Sequence, residues 1–294
     1  MLGGAALNYE LECWSKWLLQ SRLRGPHGKD TLDFLTSIRD RVLDRAQLVP
    51  GDYVLDLGSG YGLLAFGALH RVGSAGLVVV DDISQDVLDE CAHIAAAAQV
   101  AHRMRFIRNS AVDLADVPDS SIDAVLTRSV LMYVHDKRSA VAEMRRVLRP
   151  GGRISLFEPI SQIALGRPLF GIDPGPIADL AARVEDAFYA SEGSESGGIH
   201  DVDERDLFSL FDAAGFSRLE LELHLGQRRE RKDSHWIDAV LDGGAHPHAG
   251  TLREAIDKAL NPEESARYRE YYRQAAPSAG VAVRHAYVYL SGCI

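Results

Sequence analysis

Cysteine is scarce in this chain. Only Cys13, Cys91 and Cys293 occur, far apart, odd in number and without a Cys-x-x-Cys pair. That excludes a disulfide framework and points to reduced thiols in a cytoplasmic setting. Long hydrophobic runs are also missing. No stretch approaches the ~18 apolar residues of a membrane span, and Met1–Leu7 lacks the basic region and apolar length of a secretory leader. No membrane partner is expected. Positive charge is in deficit as well: 32 Lys and Arg against 42 Asp and Glu leave a formal net charge of −10. Phosphate backbones need a concentrated basic face, so no nucleic-acid partner is expected. The basic segment Gln227–Lys232 is interrupted by Glu230 and followed by Asp233, which reads as a solvated surface. His246-Pro247-His248 has no further ligands clustered with it, so it reads as an exposed loop and no metal site is expected.

What is present is an alternation of strands and helices. The pattern predicts an amphipathic helix over 8–24, a break at Gly25-Pro26-His27-Gly28, and a second helix over 30–46. Short apolar strands follow at 52–57, 76–81, 104–108, 122–127 and 153–158, each separated from the next by helical or loop sequence. Near-continuously apolar strands alternating with helices predict a parallel sheet covered on both faces. Further strands are expected at 218–223 and 281–290, with helices at 234–242, 250–260 and 262–275 between them.

The first strand, Tyr53-Val54-Leu55, runs into Asp56-Leu57-Gly58-Ser59-Gly60-Tyr61-Gly62 and then into a helical pattern. The second strand, Val78-Val79-Val80, ends in Asp81-Asp82. Together they describe a nucleoside-binding βαβ unit. A dinucleotide would place its pyrophosphate against the glycine turn. A carboxylate two residues before the first glycine repels such an anion. It suits a ligand carrying an ammonium and a sulfonium, S-adenosylmethionine (SAM). The glycines let backbone approach the ligand closely. The alternative is that Asp56 only caps the turn.

The run Val54–Gly62 resembles motif I of the class I SAM-dependent methyltransferases. Val80-Asp81-Asp82-Ile83-Ser84 is similar to the family's ribose-binding strand end. Ser121–Leu131 is similar to its fourth strand and loop, and Val147–Ile154 to the turn into its fifth strand. The resemblance covers residues 35–160. It implies a Rossmann-like, seven-stranded, mostly parallel sheet with helices on both faces. It also implies SAM as cofactor and S-adenosylhomocysteine as product. Gly58, Ser59 and Gly60 would lie against the cofactor, Asp56 would reach its amino group, and Asp82 the ribose hydroxyls. Ile83 would pack on adenine, or alternatively in the core. Where the family often shows an adenine-binding acid, this chain has Ser110, followed by Ala111 and Val112; their backbone groups are the other candidates. Arg128 would approach the cofactor carboxylate, or else form a structural ion pair.

Four regions are expected: an N-terminal helical cap at 1–46, the SAM-binding core at 47–160, a lid insertion at 161–200, and a completion of the sheet at 201–294 with a helical insertion at 234–275. Methyl transfer needs an acceptor held in line with the methyl, water excluded, and for some acceptors a base. Glu158, at the end of the fifth strand, Tyr133 and His235 are the catalytic candidates; His200, Asp201 and His285 are further candidate bases. Tyr9, Trp14 and Trp17 are a candidate aromatic roof over the acceptor, with Arg22 near the cofactor carboxylate. The acidic charge, and the absence of Pro-Pro-aromatic and Pro-Cys motifs, favour a small-molecule acceptor. The Trp-Ser-Lys-Trp-Leu-Leu, Thr-Arg-Ser-Val-Leu and Leu-Phe-Glu-Pro segments resemble bacterial natural-product C-methyltransferases acting at indole C3. O- or N-methylation of another metabolite, an NAD-dependent oxidoreductase and a non-catalytic SAM-binding protein stay open.

Overall fold

Side-chain alternation along the first strand sets the architecture. Val54 enters one apolar cluster while Leu55 and Leu57 enter another, so the strand is buried on both faces. The computed structural model describes residues 28–160, 166–192, 203–242 and 250–294. In chain order its core elements are α1 (Gly28–Arg45), β1 (Tyr53–Leu57), α2 (Leu63–Arg71), β2 (Leu77–Asp81), α3 (Gln85–Ala97), β3 (Met104–Ile107), β4 (Ile122–Arg128), α4 (Lys137–Val147) and β5 (Leu148–Pro159). Then follow α5 (Ala178–Glu192), α6 (Glu204–Ala213), β6 (Ser217–Glu230), α7 (Trp236–Val240), α8 (Leu252–Ala259), α9 (Pro262–Ala279) and β7 (Val281–Cys293). The strands form one seven-stranded sheet in the order β3-β2-β1-β4-β5-β7-β6. β1 to β5 are parallel; β7 runs antiparallel to both neighbours.

Helices α1, α2 and α3 cover one face through residues such as Val42, Leu64 and Leu88, packed on Val54, Val78 and Leu126. Helices α4 and α6 cover the other, where Met144 and Phe211 pack with Leu55, Val125 and Leu156. Helix starts follow local chemistry. The Asp136 side chain accepts from Ser139 N at the start of α4. Reciprocal capping boxes begin α6 (Asp203 with Asp206), α8 (Thr251 with Glu254) and α9 (Asn261 with Glu264).

Two features differ from the sequence expectation. β6 is longer than 218–223, because it pairs with β7 continuously from Glu220–Ser291 out to Glu230–Val281, past the edge of the sheet. The basic segment therefore becomes strand, though it stays solvated, with Glu230 bridging Arg228 and Lys232. The insertions after β5 and after β6 also do not stand apart. Ile177, Leu180 and Val184 share a third apolar cluster with Ile237, Ile256, Tyr268 and Tyr272. One helical cap thus forms from α5, α7, α8 and α9. It is tied to the β6–β7 arm by Ala282 N donating to Phe170 O at 2.8 Å and by Arg229 donating to Gly171 O at 2.9 Å.

Candidate active site

The glycine turn between β1 and α2 is built from backbone that side chains disfavour. Gly58, Gly60 and Gly62 have φ of +64°, +53° and +77°. Their surroundings separate their roles. A Cβ on Gly58 would lie 2.3 Å from Val130, and one on Gly62 would lie 2.7 Å from Cys91 Sγ. A Cβ on Gly60 would meet nothing within 4 Å. Two of the glycines are therefore demanded by packing, and the third faces open space at the strand ends. Ser59 is buried, and its hydroxyl has no hydrogen-bond partner. An orphaned hydroxyl beside an open glycine is what a ligand-binding turn leaves behind.

Asp82 organises the opposite lip. Its carboxylate accepts from Gly60 N at 2.9 Å and from Ser84 N at 3.0 Å, tying the turn to the end of β2. Next to it Ile83 is 52% exposed, an apolar platform at the site rather than a core residue. Asp56 lies one residue before the end of β1. Buried, it accepts from Ala65 N at 2.8 Å in the first turn of α2. Burial pushes its carboxyl up to about 7, against the Ala65 N–H and the Arg128 charge, with Asp82 adding to the rise. The bond to Ala65 ties β1 to the start of α2.

Ser110 forms a local turn, Asp113 N donating to Ser110 O at 2.9 Å, while Ala111 and Val112 pack half-buried on the core. Arg128 ends β4, and its charge lowers both Asp56 and Glu158. Glu158 is turned inward. Oε1 accepts from Val130 N at 2.8 Å and Leu131 N at 2.9 Å, and Oε2 accepts from Met132 N at 3.3 Å. Its carboxylate fixes the loop after β4, the loop that holds Val130 against Gly58. Burial raises Glu158 to about 7 despite these three donors. Tyr133 closes the short turn of this loop, half-buried. His235 lies elsewhere, exposed at the start of α7 on the cap with its backbone N–H on Asp233. Tyr9, Trp14, Trp17, Arg22, His200, Asp201 and His246–His248 lie outside the described residues.

Sequence reasoning passed over Asp81. It is 1% exposed, its Oδ1 has no hydrogen-bond partner, and burial followed by the Asp82 charge raises it to about 8. An acid-acid pair at a strand end was its only signal. Also missed was a row on the α1 side of the β6–β7 arm: Glu222, His224, Tyr287 and Tyr289, spaced by two along each strand.

Open space at Gly60, an orphaned Ser59 hydroxyl, a half-exposed Asp82 and an exposed Ile83 meet at the ends of β1 and β2. Residues 55–156 match the family model described as a methyltransferase domain. The fold and the family match together make residues 55–156 a class I SAM-dependent methyltransferase domain, whose cofactor is SAM. Among curated relatives, the nocamycin O-methyltransferase of Saccharothrix syringae is 32% identical over 165 residues, covering 55% of this chain and 57% of its own. The tRNA 5-carboxymethoxyuridine methyltransferase of Escherichia coli K12 is 36% identical over 119 residues, covering 40% of this chain and 44% of its own. The chain spans about half the length of these relatives. A solved Bacillus halodurans C-125 structure, described as that of a methyltransferase, shares the fold with a TM-score of 0.53 at 18% identity, covering 87% of this chain and 98% of its own. Among the described residues no helix is long and apolar enough to cross a membrane.

Proposed function

We propose that this protein transfers the SAM methyl group to a small-molecule acceptor held between the ends of β4 and β5 and the helical cap. The observation that carries it is the pairing of open space at Gly60 with the orphaned Ser59 hydroxyl. Bound SAM supplies an electrophilic methyl on a cationic sulfur, with a neutral leaving group. The chain's own work is then binding, orientation and exclusion of water. Gly58, Ser59 and Gly60 seat the cofactor backbone to backbone. Asp82, already fixed by two N–H groups, presents its carboxylate to the ribose hydroxyls. Ile83 and the half-buried Ala111 and Val112 sandwich the adenine, with Ser110 shaping that loop. Arg128 faces the cofactor carboxylate and Asp56 the amino group. Glu158 acts as a positioning residue: its three backbone donors leave it engaged with the loop after β4, which carries Tyr133 toward the acceptor.

The finer reading is C-methylation at indole C3 of a tryptophan-derived natural product. Its support is the resemblance of the Thr127–Leu131 and Leu156–Pro159 segments to such enzymes. The O-methylation reading is favoured by the nocamycin relative. A formal charge of −10 argues against a polyanionic acceptor in spite of the tRNA-modifying relative. The same features support a cytoplasmic protein whose two insertions close over the site. The test has two stages. Calorimetry with S-adenosylhomocysteine, against NADH as control, should show binding of the first only. Incubation with SAM and separate pools of cyclic tryptophan dipeptides, phenolic metabolites and bulk tRNA should give a product one methylene heavier in a small-molecule pool. Methylation of tRNA alone, or tight NADH binding, would overturn the proposal.

A further inference from the structure

Above the ends of the parallel strands, the β6–β7 arm carries three rings in a stack. The His224 imidazole lies on the Tyr287 ring, centroids 5.0 Å apart and planes 13° apart. On the same phenol lies the His285 imidazole, 5.8 Å away at 27°. Backbone register fixes their height. Tyr287 pairs with Pro159, the last residue of β5, and with His224 on β6, while His285 pairs with Gly226 one step further out. In an open α/β sheet, ligands lie outside the carboxyl ends of the strands, at this level.

The stack is held from below and left open above. Nε2 of His224 is 2.8 Å from Glu222 Oε1. Arg41 and Arg45 of α1 both donate to that carboxylate. Phe157 packs on Tyr287 at 5.0 Å from the core side. Gly226 allows His285 to lie flat on the strand, since a Cβ there would come within 2.3 Å of the ring. His285 itself is exposed, and no hydrogen bond of its imidazole is found among the described residues. Phe34 of α1 meets Tyr287 edge-on at 6.0 Å and is 46% exposed. Ordered rings ending in an exposed imidazole and an exposed phenyl edge form a rigid π surface.

Given the methyl-transfer function proposed above, we infer that the His224–Tyr287–His285 stack is the acceptor-binding wall and that it takes a planar, fused aromatic acceptor. Strand spacing supports the fit. From β4 to β7 is two strand steps, about 10 Å, a span filled by a two-ring acceptor with one edge on His285 and the other at the methyl. An extended aliphatic acceptor would leave the π faces uncovered.

Binding of planar probes to the S-adenosylhomocysteine complex tests this. The probes are 1-naphthol and the cyclic dipeptide of two tryptophans, followed by NMR of the histidine ring protons and by titration. Saturable upfield shifts at His285 and His224 are expected. His285→Ala, which removes an exposed ring, should weaken probe binding roughly fivefold to tenfold while leaving S-adenosylhomocysteine affinity unchanged. Tyr287→Leu should weaken it further, and His285→Phe should restore binding lost in His285→Ala. Overturning results would be no saturable binding of either probe, or binding that His285→Ala and His285→Phe leave unchanged. If the wild type fails to bind S-adenosylhomocysteine, the cofactor reading fails first and this wall loses its role with it.

Discussion

Acidic groups are used differently in the two halves of the molecule. At the strand ends of the core, Asp56, Asp81 and Glu158 are withdrawn from water and pushed up to about 7 or 8. They are met by backbone N–H groups or, at Asp81 Oδ1, by nothing. In the cap, carboxylates face arginines near the surface: Asp186 with Arg167, Glu264 with Arg183, Asp242 with Arg253, Asp238 with Arg273. The buried one is Glu185, which accepts from Leu169 N and lies 3.7 Å from Arg167. A desolvated acid is costly unless it fixes something. The core spends that cost on loop geometry around the glycine turn. The cap spends almost none, because its shape comes from an apolar interior of Phe170, Trp236, Tyr268 and Tyr272.

Glycine substitutions in the turn should show the largest effects. Gly58→Ala combines positive φ with a Cβ 2.3 Å from Val130, so a loss of about 2–5 kcal/mol is expected from strain and overpacking together. Gly60→Ala bears only the strain, about 1–2 kcal/mol, because space is open there. Both should lose S-adenosylhomocysteine affinity by more than tenfold in calorimetry. Equal unfolding losses for the two variants would contradict the division between a packed and a ligand-facing glycine.

Glu158→Gln separates a loop staple from a base. A neutral amide keeps the volume but weakens three backbone bonds and turns a donor toward one of them, which should lower stability by about 1–3 kcal/mol in denaturant unfolding. With S-adenosylmethionine bound, the pH–rate profile should keep its shape and lose height. A profile that loses its acidic limb, with unfolding unchanged, would assign the proton-transfer role instead.

The glycine turn was legible in the sequence because it is made by backbone over a short span. Gly58 to Gly62 and Asp82 sit at spacings that force one geometry, and the alternation of strands placed that geometry at a sheet edge. Asp56 was legible as the carboxylate before the glycine turn, though its bond to Ala65 ties it to α2, which a ligand-centred reading of the carboxylate underweights. The cap was legible only as two insertions. Their union depends on apolar residues such as Leu180 and Ile256, whose sequence separation carries no motif. The wall on the β6–β7 arm was hidden for a related reason. His285 stood out only as one histidine among several, and cross-strand register, which pairs it with Gly226, is not written in either strand alone.

Asp81 offers a pH handle on the same comparison. Its folded value near 8 lies well above the ordinary carboxylate value of 3.8, so the fold favours the protonated acid. That advantage is complete below the unfolded value and is lost as pH rises toward 8. Stability should therefore fall through this window, with Asp81 contributing up to about 1.4 kcal/mol per pH unit. Asp81→Asn should flatten the decline measured by urea unfolding at pH 5, 6.5 and 8. Asp56 and Glu158 would keep a residual slope. An unchanged slope would mean that Asp81 is ionised in the fold with a compensating partner.

The smallest effect belongs to the cap. Arg183 donates to Glu264 and to Ala259 O, joining α5 to the start of α9 and the end of α8. Both side chains meet water, so their attraction is screened and offset by the entropy of holding two long side chains still. Arg183→Gln should leave the melting temperature nearly unchanged at moderate salt. It should nevertheless raise hydrogen exchange at the α5–α8 contact, since the pair sets how those helices meet. A large loss of stability would show that the cap, like the core, leans on its charged groups, and the contrast between the two halves would disappear.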